Sequence, residues 1–167
     1  MTGNRTVRLP SRQLGFTYLA VLFAISIAGI MLAGAGVLWS TQQAREREAE
    51  LLFIGNEYRQ AIASYYEKTP GAVKRYPGDI DALLEDLRFP AAMRHLRRAY
   101  RDPITKLPEW GVVHAPDGGI MGVYSLSASP TIKRNTFQQR DSEFEGKEYY
   151  RDWRFIYEPQ VVASSKN

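Results

Sequence analysis

No cysteine occurs among the 167 residues, so disulfide staples, thiolate zinc centres and cysteine nucleophiles are excluded. Histidine is nearly as scarce. His95 and His114 are the only two and stand 19 residues apart, with no HxxxH or HxxE spacing around them. Both read as ordinary surface or core histidines. Charge of one sign is lacking over most of the chain. The net of +4 comes mainly from Arg5, Arg8 and Arg12, in a first stretch of fifteen residues that has no acid; from residue 16 onward 19 basic side chains face 18 acidic ones. A body so close to neutral gives little support to nucleic-acid binding. The mean hydropathy of −0.35 rules out a polytopic membrane protein, and 44% hydrophobic residues rule out compositional disorder.

Catalytic patterns are lacking too. Ser125, Ser127 and Ser129 alternate along a strand-like run without a G-x-S-x-G elbow, and Gly118-Gly119 belongs to a turn rather than a phosphate loop. Asp79 with Asp81, and Glu85 with Asp86, are paired carboxylates in a segment that reads as a solvated short helix. The sequence therefore points to a protein that is not an enzyme. An exported hydrolase kept at the membrane by its anchor is disfavoured on the same ground.

One long charge-free run is present: Phe16 to Trp39, 24 residues. As a helix it would be roughly 36 Å long, enough to cross a hydrocarbon core of about 30 Å. Three arginines precede it, and a nearly balanced stretch, Arg45-Glu46-Arg47-Glu48, follows it. The positive-inside rule then places the N-terminus in the cytoplasm of a bacterium and residues 40–167 in the periplasm, with 16–39 as a single inner-membrane span. The run is too long for the core of an ordinary signal peptide, about 7–15 residues.

At the cytoplasmic edge of the run stands Arg12-Gln13-Leu14-Gly15-Phe16-Thr17-Tyr18-Leu19. This stretch resembles the type IV prepilin signal, shared by pilins and by the pseudopilins of type II secretion. The resemblance implies that a basic leader, residues 1–15, is cut off after Gly15 by a prepilin peptidase and that the new terminus at Phe16 is N-methylated. It also implies a long spine helix packed by its outer half on a small antiparallel sheet. The family usually has Glu at the fifth mature position, where this chain has Ala20. The tip-capping minor pseudopilin lacks that Glu as well, so the departure leans toward a minor subunit. Ala20, Ala24 and Ala28 form one small-residue stripe, and Gly29 with Ala33 another small-xxx-small pair, spacings that let membrane helices pack closely. Gly34 and Gly36 suggest a bend near the outer end.

Beyond the span, Leu51, Ile54, Tyr58, Ile62 and Tyr65 keep a helical rhythm up to the Thr69-Pro70-Gly71 break, which predicts one helix over about 16–67. A turn at Tyr76-Pro77-Gly78-Asp79 precedes Ile80, Leu83, Leu84 and Leu87, a short helix with Asp79 as N-cap. A second short helix is expected from Pro90 to about Tyr100, where Arg94, Arg97, Arg98 and Arg101 would form one basic face. That face is a candidate contact for an acidic neighbouring subunit or anionic lipid. Glu109 to Ala115 and Ile120 to Ser127 read as strands joined by Pro116-Asp117-Gly118-Gly119 into a hairpin, and Trp153 to Tyr157 as a third strand. Residues 128–152 read as a long polar loop and residues 163–167 as a frayed tail.

The expected class is thus α+β, and the expected function a structural pseudopilin subunit of a type II secretion or type IV pilus-like apparatus. Its partners would be the prepilin peptidase, other pseudopilins, inner-membrane assembly proteins and membrane lipid, with no nucleic acid. No cofactor is expected. Calcium is left open, because Asp102, Asp117, Asp141, Glu143 and Glu145 offer oxygens but no EF-hand cadence, and no ligand is assigned. The rival reading is a single-pass inner-membrane protein with a periplasmic binding or sensing domain.

Overall fold

A computed structural model describes residues 14–159, apart from the side chains of residues 14, 15 and 32–38. The leader over 1–13, the side chain of Ala33 and the tail at 163–167 lie outside the described residues, while the backbone is helical through Gly34 and Gly36, where the sequence suggested a bend. The chain is α+β. Helix α1, Leu14–Glu67, comes first. Helix α2 is one turn, Asp81–Leu84, and is followed by strands β1 (Gly111–His114), β2 (Ile120–Tyr124) and β3 (Arg154–Ile156). Two 3₁₀ turns, Gln139–Phe144 and Tyr150–Asp152, lie between β2 and β3. The molecule divides into two compact units, Met1–Gln43 and Ala44–Asn167.

In the second unit the strands form an antiparallel meander in the order β1-β2-β3. The β1–β2 turn places Gly118 at φ +84°, a conformation glycine adopts without the Cβ penalty, and Asp117 accepts a hydrogen bond from the Gly119 N–H. The core is made where the second-unit part of α1 meets the sheet. Leu51, Ile54, Tyr58, Ala61, Ile62 and Tyr65 are buried with Trp110, Ile120, Val123, Trp153 and Phe155. Gly55 sets the closeness of that contact: a Cβ there would lie 2.3 Å from the Phe155 ring.

The polar stretch 128–152 contributes more to this core than its composition suggests. Phe144 stacks on Trp153 with ring centres 5.4 Å apart, and Phe137, Tyr150 and Phe155 meet the pair edge-on. Glu48, buried on α1, accepts hydrogen bonds from the Ile132 N–H (2.8 Å), the Lys133 N–H (3.0 Å) and the Tyr150 hydroxyl (2.9 Å). Burial first, and then the Glu48 carboxylate, raise the Tyr150 hydroxyl well above its ordinary pKa. Nearby, Arg59 donates to Asp141 at 2.8 Å and lies over the Phe155 ring.

The expected helix from Pro90 to Tyr100 does not form. Four of its N–H groups are taken by other segments. Met93 and Asp86 exchange backbone hydrogen bonds, His95 and Leu96 both donate to the Leu83 carbonyl, and Tyr100 donates to the Tyr58 hydroxyl. An i to i−4 ladder cannot form once those donors are committed. Helix α2 is also shorter than its leucine row implied. It stops at Leu84, Glu85 is extended, and Leu87 is left exposed. Asp79 does accept from the Ala82 N–H at 2.7 Å, although Ile80 occupies the cap position itself.

Candidate assembly surfaces

The first surface is the N-terminal part of α1. Every described side chain from Phe16 to Met31 is exposed. Phe16, Tyr18, Leu19, Val21, Leu22, Phe23, Ile25, Ile27, Ile30 and Met31 cover all sides of the helix, and the only hydroxyl in its middle, Ser26, is turned back onto the Leu22 carbonyl at 2.9 Å. Burying a side chain of this size is worth about 1.5–3 kcal/mol. Ten of them, partly exposed in water, would forgo on the order of 10–20 kcal/mol, comparable to the whole stability of an ordinary domain. Such a surface requires apolar surroundings. Ala20, Ala24, Ala28 and Gly29 lie on it, and a Cβ added at Gly29 would meet nothing within 4 Å. Among the described residues no helix is long and apolar enough to cross a membrane. The expected span extends to Trp39, and the side chains of residues 32–38 within it are not among those described.

The second surface is the loop over residues 93–101. Arg94, Arg97, Arg98 and Arg101 are not one face of a helix, yet all four are exposed. The adjacent pair His95 and Leu96 turns inward, the ring enclosed and the leucine buried, and the arginines on either side of the pair turn outward. None of the four arginines takes part in an ion pair among the described residues. Among the described residues Arg98 has an aromatic partner, its guanidinium lying 4.9 Å from the centre of the Tyr100 ring.

Behind this loop lies a polar network that the sequence did not disclose. His95 Nδ1 is 2.9 Å from the Ser64 hydroxyl and Nε2 is 3.1 Å from Asp86. Arg88 binds both Asp86 oxygens, at 2.8 and 2.7 Å, donates to Thr69 and to the Tyr65 carbonyl in the last turn of α1, and lies 3.5 Å from the centre of the Tyr65 ring. The Arg88 hydrogen bond, ahead of the opposing effect of burial, pulls the Asp86 carboxyl down to about 2. A hydroxyl, an imidazole and a carboxylate in a row have the composition of a hydrolytic triad. The His95 side chain has no exposure, however, and the clefts on either side of Arg88 are lined by Tyr65, Thr69, Asp86 and Arg88. Ser64 lines neither of these two clefts. The row fastens the loop to α1 and caps its C-terminus with a cation.

The oxygens considered for calcium are committed elsewhere or scattered. Asp102 is wholly buried, accepting from Ser125 at 2.6 Å and from the Ile104 N–H at 2.8 Å. Asp141 is paired with Arg59, Asp117 is bonded within its turn, and Glu143 and Glu145 point to solvent. Among the described residues no cluster of three or more His, Cys, Asp or Glu is placed to hold a metal ion. The chain matches no family model, no curated protein and no solved structure.

Proposed function

We propose that the chain is a structural pseudopilin subunit of a type II secretion or type IV pilus-like apparatus. Residues 1–15 are a leader removed by a prepilin peptidase, Phe16 becomes the methylated N-terminus, residues 16–39 anchor the subunit in the inner membrane, and residues 40–167 stand in the periplasm. Assembly with other pseudopilins then draws the subunit into a filament that drives protein export.

One observation carries this reading: the basic stretch ending in Gly15-Phe16 adjoins a helix that is apolar on every described side and finds no cover. A removable charged leader makes physical sense only if that helix is later transferred to a packed, apolar assembly. The cover can be lipid before assembly and other subunits after it. The small-residue stripe Ala20-Ala24-Ala28 suits close helix approach in both settings.

The test is mass spectrometry of the membrane-extracted chain. The expected species begins at Phe16 and carries one added methyl group. A chain that retains Met1, or one cut near Ala35, overturns the pilin reading and leaves the single-pass sensing or binding protein in its place. Gly15→Val should block the cut.

A further inference from the structure

We infer that the loop carrying Arg94, Arg97, Arg98 and Arg101 is a docking site for a carboxylate-rich face of another protein subunit; this rests on the assembly reading above. Between Asp86 and Asp102 the chain has no acid and five arginines. One of the five, Arg88, is used internally. The two bounding acids are unavailable to the other four: Asp86 is held by Arg88 and His95, and Asp102 is sealed against Ser125 and the Ile104 N–H. The fold has thus removed both nearest neutralising groups from the surface and left four guanidinium groups of one sign at it.

The loop is also held still. The paired backbone bonds of Met93 and Asp86, the capture of His95 and Leu96 by the Leu83 carbonyl, and the Tyr100–Tyr58 bonds fix it at three points along eight residues. An anchored row of arginines loses less entropy on binding than a loose one, and guanidinium forks match carboxylates with two parallel hydrogen bonds.

A protein face fits better than a lipid surface. The loop rests on α1 at Tyr58, Ser64 and Tyr65. From Ala44, where the second unit begins, Tyr58 is 14 residues along α1, or roughly 21 Å. Headgroup charge at the N-terminal end of that unit is screened over about 8 Å at physiological salt. Nucleic acid is a poorer fit because the loop has a single aromatic residue, Tyr100, whose ring is already engaged by Tyr58 and Arg98.

The full chain in phosphatidylcholine nanodiscs, titrated with a fluorescent ten-glutamate peptide, tests this. The peptide should bind at 50 mM salt, weaken steeply by 300 mM, and lose at least about tenfold in affinity in the variant R94Q/R97Q/R98Q/R101Q. These side chains are exposed, so the variant should keep the parent's unfolding midpoint, which is measured alongside. A second variant, K68Q/R134Q/K147Q/R151Q, removes the same charge from other exposed positions and should stay within about twofold of the parent. Equal losses in the two variants would reduce the effect to net charge and overturn the inference. So would absence of peptide binding, or tighter binding through the same arginines to phosphatidylglycerol vesicles or to a single-stranded oligonucleotide. Processing at Gly15 is scored on the same preparations. A chain that is cut and methylated but indifferent to the peptide loses only this inference; an uncut chain that binds the peptide loses only the pilin reading.

Discussion

Residues 16–31 and residues 44–67 belong to one helix and handle apolar surface in opposite ways. In the later stretch Glu46, Glu50 and Gln60 are exposed while Leu51, Ile54, Tyr58, Ala61, Ile62 and Tyr65 are buried against the sheet. One side is polar, so one partner layer within the chain suffices. In the earlier stretch no polar side exists, and every described residue is exposed. A single layer could cover only part of it. The contrast teaches that the distribution of polar residues around a helix, rather than its length or helicity, determines whether its own chain can complete it.

The sharpest way to break the comparison acts on Ala20. If the leader is cut as proposed, a free ammonium at Phe16 would cost roughly 2.5–3.5 kcal/mol or more in hydrocarbon without a carboxylate partner. Overproduced alone, the protein should form no long filaments in electron microscopy, and Ala20→Glu should restore them. Abundant filaments from the parent chain would remove the lean toward a minor subunit that Ala20 suggests.

Next come two leucines in one expected helical row. Leu83 is buried, and Leu83→Ala should cost about 2–5 kcal/mol in denaturant unfolding. Leu87 is 80% exposed, and Leu87→Ala should change stability by less than about 0.5 kcal/mol. Equal losses would contradict the end of α2 at Leu84.

A glycine pair compares the two stretches of α1 directly. At Gly55 a methyl group has no room against the Phe155 ring, so Gly55→Ala should destabilise the second unit by about 1–3 kcal/mol. At Gly29 the space is open, and Gly29→Ala should leave unfolding of that unit unchanged while stiffening the helix by about 0.5–1 kcal/mol. A loss at Gly29 as large as that at Gly55 would show that residue 29 already has a neighbour.

The smallest effect is in pH dependence. Asp86 has its folded pKa lowered to about 2, against about 3.9 in an unfolded chain. Its contribution is therefore fully present above about pH 4 and is lost as pH falls toward 2, because the unfolded chain takes up the proton first. Thermal melts between pH 5 and pH 2 should show the parent losing stability more steeply than Asp86→Asn. Parallel curves would mean that the Arg88 and His95 contacts add nothing to folding.

What could be read from the chain followed from local chemistry. Pro116-Asp117-Gly118-Gly119 fixed the hairpin because a tight turn needs a residue at positive φ, and the apolar rhythm through Tyr65 reached the observed end of α1 at Glu67. What could not be read depended on distant groups. Residues 93–100 have a helical pattern, but the N–H donors of Met93, His95, Leu96 and Tyr100 bind Asp86, Leu83 and Tyr58 instead. The four arginines stayed exposed for a reason the pattern did not contain, namely the inward turn of His95 and Leu96. Ser64 and Asp86 lie 31 and 9 residues from His95, and no motif spacing announces such a row. The aromatic cluster of residues 137–155 was hidden by its polar neighbours, although Phe137, Phe144 and Tyr150 were signals that the segment packs.

Glu48 has a mechanical consequence. Along α1 it is the first buried side chain of the second unit, four residues after Ala44. Its carboxylate holds Ile132, Lys133 and Tyr150, which are 84 to 102 residues away in sequence. Tension that enters the unit through the N-terminal side of α1 therefore reaches this point early and is divided among three charge-assisted bonds acting in parallel, instead of peeling them one at a time. The same carboxylate ties α1 to Tyr150, whose ring meets Trp153 edge-on, so load on the helix would be shared with that cluster. A subunit pulled by its helix would thus resist as a block, and Glu48 would be its shackle.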